Sequence, residues 1–545
     1  MAMNPVKTPF VKMSFTPDVP SSALTANEYN AGQNIETNVR GVNSVSGDQY
    51  ILAQVPGNQI FVTSGFGSNG IYYWIVATEQ GQWYEIDQTG GITNITPAVG
   101  GYYGTYSTST VITASWNGTI VFLNDETNPP MYFSPGNWGQ IRLYDNPPDN
   151  YIWNYDVGYD STGNIVPLYS SLTAGFVRVY NSPNVGSLLV AGNLTGSINA
   201  NVIPSGGTVQ NLPTTVRWSQ NFGINSGPTT WAPTIYNIAN QVEMPVRGPI
   251  KDGFSLNGNF YICSYWDTCL MSPIAYTSTT APVFGIKIVS QGRGLINENC
   301  WAVVDNVAFG VDARDIWQFD GGAFTPIGNQ RVKNYFYNNL NNAYTNQIFM
   351  INNTEKYQIE IYYPSLASTG TCDQMISYRY DLDAWQPPRQ VTEATMATEA
   401  PRIINGNINL ATRGVDYSTF TANANIIQKD TGTSFIGNTN INSYFQRDNI
   451  SFGQPYSASV LVHRVLPEVY GTGNITVTIG GADSVANVVV FKPNVTIPIQ
   501  TSNPWAQIDQ NEARVVTLQV GANSNVTSWQ LTEADWQITV VQDTR

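Results

Sequence analysis

Residues 299 to 335 restrict the fold more than any other stretch. Three short apolar runs, Trp301 to Val304, Val307 to Val311 and Ile316 to Phe319, are separated by polar turns. Asp320-Gly321-Gly322 then opens a return strand that runs toward Tyr335. Asp-Gly and Gly-Gly supply the positive φ angles of tight hairpins. The stretch therefore predicts one antiparallel, four-stranded unit.

Weaker copies of that unit recur from about residue 49 to 413. Tyr84, Ile86 and Asp87 compare with Trp317, Phe319 and Asp320, and with Tyr378, Tyr380 and Asp381. In each case alternating aromatic or apolar residues precede a polar turn. A spacing of roughly 45 to 60 residues matches a propeller blade of four strands. The expectation is an all-β chain built on an irregular β-propeller. Unrelated hairpins or a stacked sandwich are the competing arrangements.

The flanks differ from this core. Residues 1–48 read as an extended N-terminal arm, held open by Pro5, Pro9, Pro17 and Pro20, with one short helix between Ser22 and Val39. Residues 49–415 are the propeller, with long loops at about 144–171 and 193–213. Residues 416–456 form a polar Asn- and Thr-rich linker, and 457–545 a β-sandwich-like module with alternating Ile475, Val477 and Ile479.

Composition supports strands over helices. Charged residues make up 11% of the 545, against roughly a quarter in ordinary soluble domains. Such low charge suits a surface hidden in a permanent assembly. A net charge of −14 excludes tight DNA binding, which needs clustered Lys and Arg. It still allows DNA to slide past a weakly repulsive wall. No apolar leader core is visible behind Lys7 and Lys12, and no run of about 18 apolar residues could span a membrane.

Catalytic patterns are sparse. The four cysteines, Cys263, Cys269, Cys300 and Cys372, have no metal-site spacing and read as buried thiols. His463, the single histidine, lies in an alternating strand. Gly65 to Gly70 spells GxGxxG but precedes no helix, so it reads as a hairpin loop. Asp305, Asp312, Asp315, Asp320, Asp381 and Asp383 raise the thought of a glycosidase propeller, which needs two carboxylates about 5–9.5 Å apart. Several of them sit at turns, where Asp binds its own backbone. The aromatic content of 12% suits strand packing first and sugar stacking second. No enzyme activity, cofactor or metal is expected.

Certain segments resemble the tail nozzle proteins of short-tailed bacteriophages, the tail tubular protein B-like or tail stabilisation group. Ala31 to Ile35 with Val39-Arg40-Gly41 resembles their arm. Arg217, Trp218 and Ser219, followed by Trp231 in a Trp-x-Pro turn, resemble their most recognisable signature; Gln220 stands where Asp is common. Asp312, Trp317, Phe319, Asp320 and Gly321 resemble the Phe-Asp-Gly segment. Tyr380 and Trp385 resemble the closing strand, and Trp529, Leu531 and Trp536 also fit.

The resemblance implies a virion protein made in the host cytoplasm. Six copies would ring the tail below an adaptor, support fibres or spikes, retain packaged genomic DNA and conduct it during ejection. Loop 193–213 is the candidate gate or interface loop, with Gly192, Gly196, Gly206 and Gly207 for flexibility. The alternative is a carbohydrate-binding or glycan-cleaving propeller, such as a receptor-binding tail protein.

Overall fold

A computed structural model describes residues 4–97, 105–107, 110–202, 209–274, 284–412, 424–436, 439–450, 452, 458–484, 487–499 and 505–541. The fold is all-β. Among these residues one α-helix occurs, Lys333–Asn339, besides short 3-10 turns.

Five consecutive antiparallel meanders of four strands each cover residues 59–94, 113–143, 169–243, 250–291 and 301–326. A sixth begins a seven-stranded sheet with Phe349–Asn353, Gln358–Tyr363, Cys372–Arg379 and Ala384–Glu399. The fifth meander is the unit read from the sequence, with Val311 facing Ile316 and Phe319 facing Phe324 across its hairpins. Gly321 takes φ 95° at the third turn, which a side chain would strain.

Neighbouring meanders touch through their first strands. Thr113–Asn117 packs on Tyr169–Ser182, which packs on Ile250–Leu256. Trp301–Val304 packs on Phe349–Asn353. The sixth sheet also meets the first: Thr395 donates to the Gln59 carbonyl at 3.0 Å, and Tyr72 to the Glu399 carbonyl at 3.2 Å.

The N-terminal segment is no free arm. In place of a helix over 22–39 there is a 3-10 turn, Ser21–Ala23, and then short strands. Asn4–Pro9 pairs with Ser528–Val541, as does Val42–Ser44, while Ala31–Gln33 pairs with Ile441–Ile450. Asn, Thr and Gly are weak helix formers, and strand partners from the far end of the chain decide the outcome. The polar linker is likewise corrected. Ala424–Gly432 extends the sixth sheet and pairs with Gly47–Val55, and Ile441–Ile450 belongs to the C-terminal module. Ile441, Ser443 and Phe445 alternate inward there, a pattern masked by the surrounding Asn and Thr.

The C-terminal module has two sheets whose inner residues share one core, among them Phe445, Val477, Leu518, Trp529 and Trp536. Phe10, Met13 and Tyr29 from the N-terminal segment fill the same core.

Loop 144–171 carries a hairpin, Val157–Tyr159 with Ile165–Pro167. Residues 193–198 and 209–213 belong to the third sheet's long strands.

Candidate functional site

A convergence of buried polar groups lies where the first strands meet. A register shift between Ile250 and Asp252 turns the Asp252 carboxylate inward, the usual effect of a bulge. Its Oδ1 accepts from Arg178 Nε at 2.9 Å and from Gly253 N at 2.8 Å. Its Oδ2 accepts from Arg178 Nη2 at 2.6 Å, Asn299 N at 3.1 Å and Trp301 Nε1 at 2.8 Å. Arg178 Nη1 donates to the Ala114 carbonyl at 2.7 Å, and Asn299 Nδ2 to the Ile112 carbonyl at 2.9 Å. One bidentate pair thus joins the second to fifth meanders. Such a fork holds geometry as well as charge.

Beside this hub Lys251 Nζ lies 3.4 Å from buried Glu298. Glu126 stands close by on a turn residue with φ 63°. Burial, and then the Glu298 charge, lift the Glu126 carboxyl from the usual 4.5 to about 8; a Val111 backbone bond and Lys251 oppose this. Burial also raises Glu298, against Lys251. A raised carboxyl pKa means that the folded chain keeps a proton the unfolded chain releases. The stabilisation is therefore full below about pH 4.5 and is lost as pH rises toward 8. Glu126 is only half-buried, so screening limits the expected effect to about 1–2 kcal/mol. Urea unfolding at about pH 5 and pH 8.5 should show that loss in the native chain, and Glu126→Gln should shrink the difference. An unchanged difference would remove Glu126 as its source.

The cavity beside Asn299 leaves little room for a substrate. The cavity lined by Ile112, Asn299 and Ile348 holds about 20 Å³, one water and no sugar ring.

The sequence-derived signature residues form two separate groups. Arg217 is buried, donating to Trp153 O at 2.9 Å and Asp156 at 2.6 Å while its guanidinium stacks on Tyr155 at 4.1 Å. Trp218 donates to the Ile238 carbonyl at 2.6 Å, and Ser219 Oγ accepts from Leu189 N at 3.0 Å. Trp231 packs edge-on against Trp153 at 4.7 Å. The second group surrounds the fifth meander. Asp312 pairs with Arg293 at 3.0 Å and caps the Arg314 and Asp315 amides. Trp317 and Trp385 donate to the carbonyls of Gly294 and Ile327. Phe319 stacks on Phe324 at 4.2 Å, Asp320 accepts from Gly322 N and Ala323 N, and Tyr380 meets Tyr357 at 6.0 Å. These contacts position strands and turns.

Of the six aspartates weighed for glycosidase chemistry, Asp305 occupies a positive-φ turn, Asp381 pairs with Arg379 and Asp383 with Arg331. None supplies the hub. Arg178, Asp252, Glu298 and Glu126 do, and sequence reasoning missed them. The available signal was a charge inside an apolar run, such as Arg178 between Val177 and Val179.

The gate glycines are also corrected. Gly192 and Gly196 lie within a paired strand. A Cβ there would stand 2.5 Å from the Phe176 ring and 2.3 Å from the Tyr169 ring, so both make room for aromatics and provide no hinge. Gly206 and Gly207 lie outside the described residues. All four cysteines are free and buried, and burial pushes the Cys269 thiol up to about 11. His463 meets Thr539 Oγ1 at 2.8 Å. Among the described residues no three His, Cys, Asp or Glu side chains converge to hold a metal, and no helix is long and apolar enough to cross a membrane.

No protein-family model matches the chain, and no curated protein matches it.

Proposed function

We propose that this chain is a structural subunit of a phage tail nozzle, its six meanders forming the blades of one irregular β-propeller above a C-terminal β-sandwich. The observation that carries this is the way residues 4–55 and 424–541 are interlocked through shared sheets. Gly47–Val55 completes the sheet that ends with Ala424–Gly432, and residues 4–44 supply strands to both C-terminal sheets. The contact between the sixth and first sheets supports a circular blade order. Segments far apart in sequence that share sheets in this way suit mechanical work, and the sequence resemblance specifies which.

The buried hub supports one choice of DNA path over another. The Arg178–Asp252 pair ties the third meander to the fourth, and such cross-links within one chain support a conduit that runs between subunits. An adaptor, fibres and transient DNA complete the proposed partners.

Subunit contacts have a natural surface. In the hairpin of 157–167, Val157, Tyr159 and Ile165 are 59%, 59% and 67% exposed and share one strand face. An apolar face of that kind marks an interaction site.

Electron microscopy of the purified chain, and of particles carrying it, tests the proposal. The expected result is a ring of six copies at the tail tip. A monodisperse monomer together with particles lacking such a ring would overturn it.

A further inference from the structure

The fourth meander ends in a long free edge. Its last strand, Phe284–Gln291, has eight residues and pairs on one side with Asp267–Pro273. No strand among the described residues covers its other side. The last strands of the first, second, third and fifth meanders have only three, two, four and three residues. A short edge offers few backbone N–H and C=O groups for pairing, whereas this one offers a row of them. A register shift between Thr268 and Cys269 interrupts the ladder near its far end, so the regular part runs from Phe284 to Ile288. Ile288 is 36% exposed there, and Ile274, which lies over Gly285, is 53% exposed. Lys287 is exposed and forms no ion pair among the described residues.

We propose that this edge receives the 157–167 hairpin of a second copy, so that Val157–Tyr159 adds a fifth strand to the fourth meander. The inference rests on the ring of copies proposed above. A ring joins its copies head to tail, so the exposed hairpin needs a different surface to meet. A two-stranded hairpin is marginal by itself and gains from a third strand. Among the described residues Val157–Tyr159 pairs only with Ile165–Pro167, and Pro167 has no N–H to offer along the opposite edge. Side chains alternate across a strand, which fixes the match. Antiparallel pairing that sets Val157 opposite Ile288, and Tyr159 opposite Ile286, joins apolar side chains on one face. The same register puts Asp160 on the other face, diagonal to Lys287 and within reach of a lysine side chain. Asp160 accepts from Thr162 N and Oγ1 and from Asn164 N and Nδ2. All four donors are neutral, so its negative charge is left for a cation. An unrelated extended peptide would gain the backbone bonds without this apolar and ionic match.

Carbodiimide, which joins an amine to a carboxylate without a spacer, tests the contact. Mixing isotope-labelled and unlabelled full chains separates cross-links between copies from those within one. Mass spectrometry should find Lys287 joined to Asp160 of another copy, and Asp160→Asn should abolish that product. Lys287→Glu should weaken association about tenfold by sedimentation velocity, whereas Lys287→Arg should leave it unchanged. Lys287 is exposed, so neither change threatens the fold. Rings that form without this cross-link and ignore Lys287→Glu would overturn the inference and leave the ring standing. The cross-link in a dimer, with no ring on particles, would keep the inference and overturn the nozzle reading. A chain that stays monomeric would overturn both.

Discussion

Arg389→Met should destabilise the chain by about 3–5 kcal/mol, the cost of breaking a buried ion pair from one side. Arg389 donates to Asp48 at 2.7 Å, to the Ser46 carbonyl at 3.1 Å and to Asp430. Asp430 also pairs with Lys356 at 2.8 Å, Lys356 with Glu36 at 2.7 Å, and Lys429 with Glu360. Tyr362 and Asn353 donate to Glu360 at 2.6 and 2.7 Å. Burial by itself would raise Asp430, but Arg389, Lys356 and Lys429 together hold it well below the usual carboxylate range. Asp48 is raised, because burial outweighs the pull of Arg389. Removing the guanidinium leaves both aspartates buried with less compensation. Urea unfolding reads the loss. Hydrogen exchange should locate it in Gly47–Val55 and Ala424–Gly432, the two strands the cluster fastens. A variant within about 0.5 kcal/mol of the native chain would show that this network does not hold the closing strand.

Tyr159→Asp combined with Ile165→Asp should dissolve the proposed ring into monomers. The two side chains are cross-strand neighbours on the exposed hairpin face. If that face is covered by the next subunit, two carboxylates placed there must be desolvated without partners. The association constant should fall by at least about a hundredfold, since two centrally packed aromatic and aliphatic anchors are lost. Sedimentation velocity measures it, with circular dichroism checking that the strands survive. The opposite face, where Gly158 lies against Val202, is untouched by the change, so folding should persist. Rings of undiminished stability would move the interface elsewhere.

Part of this architecture is legible in the sequence. The Asp320-Gly321-Gly322 hairpin follows from local φ preferences, and the strands around it from period-two alternation. The buried thiols and the strand position of His463 follow from the same local patterns. The gate glycines misled because glycine in a strand and glycine in a loop look alike until the ring across the strand is known. Tyr169 and Phe176 decide Gly196 and Gly192, and both arrive from the neighbouring strand.

The sequence alone determined the all-β character and the strands and turns of the fifth meander, since each depends on residues a few places apart. Tertiary structure decided what those strands pair with. Nothing local in Asn4–Pro9 names Ser528–Val541 as its partner, and nothing near Arg178 names Asp252, 74 positions away. Such pairings are chosen by the burial of faces and charges that meet only after the chain has folded back on itself.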